Sequence, residues 1–456
     1  MTMWKPELDR SKPRYAALAD SIAEDIRSRK LKPGDRLPTH RDLADALGVT
    51  VGTVSRGYAE AERRGLVLGE VGRGTFVASD AGAKGLFFQV QEPTVAEWDL
   101  GLNTNLEALG PRLGPALQQL SQSDGLDELL RYSSSGGLVR HRLAGARWLR
   151  EAGLQAAAED VFVCAGVQHC LSVVLYSVLH SGDTLLTESL TYPGVKELAL
   201  RLGVRLAPVA MDEQGLLPDS LEAVIRAERP RGLYLMPSAH NPTTACLPED
   251  RRKRVVELIR RHDLLLLEDD PYARFMKEPP TPLSEFLPER SFYVSGVSKV
   301  LAGGLRVAYL KAPQEFHRAV VRGITSSMWM APPLMAEIAT RWIEDGTSAE
   351  ALARKQAETA VRVALAREAL SGCSFAGKDY CCFLWLRLPE PWRGDDFERE
   401  AGKRGLSVFP AERFIVGHAP LPFAARISLG RIDDRSQLRN ALKMVRDMLL
   451  GSFERP

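Results

Sequence analysis

From residue 97 onward, short apolar runs alternate with stretches of helical period. That alternation restricts the chain to an α/β fold on a largely parallel sheet with helices on both faces. Sheets of this kind bind ligands beyond the carboxyl ends of their strands, so the residues just past each apolar run carry the information. Val161 to Cys164 is followed by Ala165-Gly166-Val167-Gln168 and an apolar helix expected over Cys170 to Leu179. A glycine turn at a helix N-terminus presents backbone N–H groups and the positive end of the helix dipole, a site for phosphate.

Three further strand ends fit the same scheme. Gly232 to Met236 leads into Pro237-Ser-Ala-His-Asn241-Pro242-Thr243, where Pro242 keeps Asn241 out of helix and its amide can bond a ligand hydroxyl. Leu264 to Leu267 leads into Glu268-Asp269-Asp270-Pro271-Tyr272. Three acids closing a leucine strand are costly unless they meet a positive partner, and a protonated pyridine nitrogen is one. Ser291 to Ser295 leads into Gly296-Val297-Ser298-Lys299 and then Gly303-Gly304-Leu305-Arg306. A lysine among small residues at a strand end can supply a Schiff-base amine, and Arg306 can clamp a phosphate. Each residue alone has a plain structural explanation: a solvated turn for Lys299, a surface cap for Asp269, an ordinary turn for Asn241-Pro242. Four in order, each just past a strand, share one explanation.

The first 78 residues follow other periods. Tyr15, Leu18, Ala19, Ile22 and Ile26 share one face of a helix expected over Tyr15 to Arg29, stopped by Pro33-Gly34. Thr39 opens a second helix with Asp42 three residues on, and Gly48 closes it. Thr50 caps a third helix, Val51 to Arg64. Leu66 to Leu68 and Thr75 to Val77 then form a hairpin. Two short helices joined by a tight glycine turn make a helix-turn-helix, and the hairpin is its wing. Arg41, Thr50, Thr53, Arg56 and Arg73 are the expected contacts to duplex DNA, since guanidinium and hydroxyl groups suit phosphate oxygens and base edges. Residues 1–79 hold 14 Lys and Arg against 11 Asp and Glu, and the rest hold 46 against 47. So small an excess leaves position to decide the matter.

The segments Leu37 to Ala44, Thr53 to Tyr58 and Gly72 to Val77 resemble a GntR-family DNA-binding domain. Residues of about 98–446 resemble the fold-type I pyridoxal-phosphate (PLP) aminotransferases, and the fusion resembles the MocR-type subfamily of GntR regulators. The resemblance implies that Lys299 carries PLP as a Schiff base and Asp269 pairs with the pyridine nitrogen. It places Asn241 and Tyr272 on the ring hydroxyl, Tyr192 against the ring, and Gly166, Val167, Gln168, Ser298 and Arg306 around the phosphate. Arg426 matches the arginine for an α-carboxylate, and Tyr132 the tyrosine that reaches a neighbouring subunit's site. Three positions depart from the family pattern: Gly296 for a hydroxyl residue, Thr244 for glycine, and Val167 for serine or alanine.

The expected organisation is a winged helix-turn-helix over 1–78, a linker over 79–96 and an aminotransferase-like domain over 97–456. That domain divides into a large part of about 150–345 and a smaller α+β part of about 346–456. Six scattered cysteines without a Cys-x-x-Cys pair exclude the usual zinc and disulfide frameworks, so no metal is expected and the cell compartment is the cytoplasm. No apolar run is long enough for a membrane span. The function expected is a transcription regulator whose PLP domain senses an amino acid, an amine or PLP itself, working as a head-to-tail homodimer. The alternatives are an active aminotransferase with an accessory DNA-binding domain, and a binding module without PLP.

Overall fold

The computed structural model describes residues 4–6, 8–9, 12–28, 30–32, 34–63, 66–70, 74–77, 97–417 and 419–451. It falls into two compact units, residues 1–93 and 94–456. The expected linker, 79–96, lies outside the described residues, as does Arg73.

In the first unit the helix Arg14–Arg27 buries Leu18, Ala19 and Ile22. It is followed by the helices His40–Leu47 and Val51–Arg63 and the antiparallel strands Val67–Glu70 and Gly74–Val77. The caps are those expected. The Asp42 amide donates to Thr39 Oγ1 at 3.3 Å and the Thr39 hydroxyl donates to Asp42 Oδ2 at 2.7 Å. Gly48 closes that helix at φ +64°, a left-handed conformation that costs glycine least. The Thr53 amide donates to Thr50 Oγ1 at 3.2 Å. The first helix ends two residues earlier than its apolar pattern suggested, with Ser28 as its cap.

The second unit is built on a seven-stranded sheet. In spatial order its strands are Val161–Cys164, Ala308–Lys311, Ser291–Gly296, Leu265–Asp269, Gly232–Leu235, Thr184–Glu188 and Arg205–Val209. Only Ala308–Lys311 runs antiparallel to its neighbours. Alternate side chains serve two cores. Val161, Val163, Tyr293 and Tyr309 pack with Trp148, Ile338 and Trp342 on one face. Phe162, Cys164, Phe292 and Val294 pack with Leu171, Val174 and Ile324 on the other. The helix after the first strand begins at Val167, three residues before the apolar run that predicted it. Glu268 and Asp269 are the last residues of their strand rather than the residues beyond it.

The C-terminal lobe carries a four-stranded antiparallel sheet ordered Phe375–Ala376, Phe383–Arg387, Ala424–Ser428, Phe409–Pro410. The helices Thr347–Ala369, Gly394–Lys403 and Arg435–Leu450 belong to the same lobe. The start of the unit also belongs here: Trp98–Asp99 pairs with Leu406–Ser407, and Leu100 and Leu106 enter the lobe's core. No helix among the described residues is long and apolar enough to cross a membrane.

The helices Arg14–Arg27 and Val51–Arg63 meet at Gly57, where an added Cβ would lie 2.6 Å from Leu18 Cδ2 and 3.1 Å from Leu18 Cβ. Gly57→Val should therefore destabilise the first unit by about 1–3 kcal/mol. Amide hydrogen exchange of the full chain checks this. Protection should fall across 51–63 and stay unchanged in the strands of the seven-stranded sheet.

Candidate functional site

The three acids at the end of Leu265–Asp269 have different surroundings. Glu268 accepts from the Leu283 amide (3.1 Å), the Ser284 amide (2.8 Å) and the Ser284 hydroxyl (2.6 Å). Asp270 accepts from the Ser238 hydroxyl (2.6 Å) and the Ala273 amide (2.9 Å), with the Arg252 charge also acting on it. Asp269 accepts from the Tyr234 hydroxyl at 2.8 Å through Oδ2, while its buried Oδ1 has no partner. Burial pushes Asp269 up to about 7, against the opposing effect of the Tyr234 hydrogen bond. The sequence argument demanded a cation for all three acids. Only Asp269 keeps an oxygen open to one.

Lys299 follows the neighbouring strand, half-buried, and its amine donates to the Asn103 carbonyl. Burial first, then the Arg426 charge, brings Lys299 down to about 8. The Asn103 side chain donates to the buried Tyr272 hydroxyl at 2.7 Å. Arg426, buried on the strand Ala424–Ser428, donates to Asn241 Oδ1 at 2.8 Å and to the Gly101 carbonyl at 2.7 Å. The Phe409 and Phe414 ring centres lie 5.2 and 5.0 Å from its guanidinium carbon. Burial lowers Arg426 to about 10, and no carboxylate among the described residues pairs with it. The fold thus brings Asp269, Lys299, Tyr272, Asn241 and Arg426 together around residues 101–105.

At the turn after Val161–Cys164, Gly166 stands at φ +87° as the N-cap of Val167–Val178. A Cβ there would lie 2.4 Å from Arg306 Nη2, the movable end of an exposed side chain, so it is the backbone conformation that calls for glycine. The exposed Arg306 side chain meets only the Gly303 carbonyl, at 3.5 Å, and no described carboxylate. A helix N-terminus and a guanidinium therefore lie close together at this turn. Gln168 donates to the Gly194 carbonyl at 3.0 Å and leaves a buried Oε1 unpartnered. Tyr192 caps the helix Pro193–Leu202, and burial together with the Asp269 charge raises its phenol. Ser298 stands half-buried beside Lys299.

The departures from the family pattern have local causes. A Cβ on Gly296 would lie 2.7 Å from Val167 Cγ2, so the valine and the glycine are one exchange of volume across the turn. Ser295 does not replace the missing hydroxyl, since alternation turns it to the opposite face, where it accepts from Trp148 Nε1 at 3.1 Å. Thr244 stands at φ +63°, the left-handed conformation for which glycine is the usual choice.

Sequence reasoning missed Tyr234 and the strap Gly101, Asn103 and Asn105. A phenol inside a fully buried strand needs a partner, which is a readable signal for Tyr234. The strap has no period, and nothing in it separates a site from a loop. Tyr132 stands on the surface, 84% exposed, with its ring edge-on to Trp329 at 5.7 Å. In the first unit Arg41, Thr50 and Arg56 are exposed and Thr53 half-buried. Ser55, another residue missed, ties its helix to His40 Nδ1 at 3.1 Å.

An open carboxylate oxygen, an amine of lowered pKa and a helix N-terminus beside a guanidinium, all at strand ends of one sheet, fit the ring nitrogen, aldehyde and phosphate of PLP. Comparison with known proteins agrees with this chemistry. Residues 98–443 match the family model for aminotransferase class I and II, and residues 14–77 match the model for bacterial regulatory proteins of the gntR family. The HTH-type transcriptional regulator YdeF of Bacillus subtilis is 30% identical over 447 residues, covering 98% of this chain and 96% of the relative. A 2-aminoadipate transaminase of Thermus thermophilus is 30% identical over 296 residues, 62% of this chain and 73% of that one. The fold is similar to that of LysN, an alpha-aminoadipate aminotransferase of Thermus thermophilus crystallised with N-(5'-phosphopyridoxyl)-L-leucine. The TM-score is 0.73 at 25% identity, over 81% of this chain and 97% of that one. The chain belongs to the MocR-type family, in which a gntR-family DNA-binding domain is joined to an aminotransferase class I and II domain.

Proposed function

We propose that this regulator binds PLP in its aminotransferase-like domain, senses an amino acid or amine there, and changes its hold on operator DNA in response. The observation that carries the reading is the open oxygen of Asp269, buried within electrostatic reach of Lys299. A buried carboxylate with half its acceptor capacity unused is costly in a protein that binds no cation there. Bound PLP supplies an aldehyde that captures amines and a ring that withdraws electrons when its nitrogen is protonated. Asp269 would hold that proton through its open oxygen. Lys299, with a pKa of about 8, is partly neutral near physiological pH and so able to attach the cofactor. Gly166, Val167, Gln168, Ser298 and Arg306 would hold its phosphate, Tyr192 its ring, and Asn241 with Tyr272 its hydroxyl. Arg426 takes the carboxylate of an amino-acid ligand, which then competes with the Gly101 carbonyl and Asn241 for the guanidinium.

Residues 1–78 serve as the DNA-binding domain, 79–96 as the connector and 97–456 as the sensor, in the cytoplasm. Leu130, Tyr132 and Trp329 are 79%, 84% and 54% exposed, an apolar surface that supports association into a homodimer, for which we propose a head-to-tail arrangement. Tyr132 would then reach the partner's site. The ligand acts on DNA affinity only by the difference in its own affinity for two arrangements of the protein. A second reading, an active aminotransferase, is favoured by one observation: the Lys299 amine is lowered to about 8 by burial and by the Arg426 charge, as suits a base at the substrate Cα. Formation of a keto acid from an amino acid separates it from pure sensing.

Visible absorbance is the first measurement. The wild-type protein should show a PLP band that shifts with one amino acid, and Lys299→Ala should lose the protein-linked form. Attachment should quicken from pH 6 to 8 as the amine loses its proton. A wild-type chain without the band, even with added cofactor, would overturn the site. Arg426→Ala should weaken the response to amino acids by about 2 kcal/mol or more, roughly 30-fold, with the cofactor band kept. In gel shifts on its own promoter region, Arg41→Ala and Arg56→Ala should each reduce the salt slope of binding by about one.

A further inference from the structure

The long helix Thr347–Ala369 buries a lysine completely: Lys355 is 0% exposed. Its ammonium donates to the carbonyl of Lys299 at 3.2 Å and to that of Leu301 at 3.4 Å. Those carbonyls end a single turn after the strand Ser291–Gly296, in which the Val300 and Leu301 amides return to the Val297 carbonyl at 3.2 and 2.8 Å. The last carbonyls of such a turn lack partners within it, and a cation suits them. Asn105 donates to the same Lys299 carbonyl at 3.1 Å. No carboxylate among the described residues lies within ion-pair distance of Lys355.

A lysine buried without an acid is destabilising, and an apolar side chain of similar length would fill the space at less cost. Packing therefore does not account for the charge. We infer that Lys355 is a positioning residue for Lys299: its buried ammonium holds the turn that carries Lys299 and sets a second positive charge behind the Lys299 amine. The ionisable groups that act on the pair are Arg426, Arg354, Asp269, Glu107 and Cys382. Glu107 and Cys382 favour the protonated amines, whereas Arg426 and Lys355 disfavour protonation of Lys299. Burial brings Lys355 itself to about 8, so its charge acts below that pH and fades above it.

The functional meaning rests on Lys299 being the PLP-attaching amine, but its proton affinity is measurable without cofactor. The experiment is the pH dependence of Lys299 modification by an amine-selective reagent in the cofactor-free full chain, followed by peptide mass. Lys355→Met and Lys355→Gln should both move the midpoint up by about half a unit, roughly threefold lower reactivity near neutral pH. The Gln variant keeps a donor for the carbonyls while removing the charge, so it decides the matter if the Met variant fails to fold. Asn105→Ala, which removes a neutral donor to the same carbonyl, should leave the midpoint in place. A Gln variant that titrates with wild type, or an Asn105→Ala shift as large as that of Lys355→Gln, would overturn the inference. Absence of a PLP band in wild type would instead overturn the cofactor reading and leave this titration standing.

Discussion

A carboxylate held at the end of a central strand, with one oxygen bonded to Tyr234 and the other open, organises the large unit. Leu265–Asp269 is the fourth strand of seven, covered on both faces, so water does not solvate the charge. Parallel pairing sets Asp269 opposite Val294, and the turn that follows that neighbouring strand carries Lys299. Glu268 and Asp270 are satisfied by the Leu283–Ser284 backbone and by Ser238 and Ala273, which leaves Asp269 alone to meet a ligand cation.

Around that one acid the fold gathers an excess of positive charge. Lys299, Lys355, Arg426 and Arg306 surround the site, and none has a carboxylate partner among the described residues. Each is held by carbonyl oxygens instead: Asn103 for Lys299, Lys299 and Leu301 for Lys355, Gly101 for Arg426, Gly303 for Arg306. Carbonyl dipoles orient a cation without cancelling its charge, so these four groups keep their positive charge toward the site.

The first unit, a gntR-family DNA-binding domain, carries its cations under the opposite physics. Arg41 and Arg56 stand in water with no described carboxylate beside them, where interactions are weak singly and screened by salt. The Thr39, Gly48 and Thr50 caps fix the two helices that carry these arginines. A polyanion of fixed spacing suits such a surface, whereas the small ligand suits an enclosed cleft.

Much of this was legible in the order of residues. The helix caps at Thr39, Gly48 and Thr50, the strand–turn–helix rhythm, and the candidates Asp269, Lys299, Asn241 and Arg306 all follow from local rules, since capping and side-chain alternation act within a few residues. Other features depended on contacts between distant segments. The strap Asn103–Asn105 meets Lys299 across nearly two hundred positions, Tyr234 finds Asp269 on the neighbouring strand, and Gly296 is explained only by the Val167 methyl against it. Lys355 carried no signal at all, because a lysine on a long helix is ordinarily a solvated residue. The sequence by itself determined which elements form and which residues stand at their ends, because those choices are local free energies. Only the tertiary structure decided which of three adjacent acids stays open and which lysine is buried behind another, because burial and hydrogen-bond satisfaction belong to the packed whole.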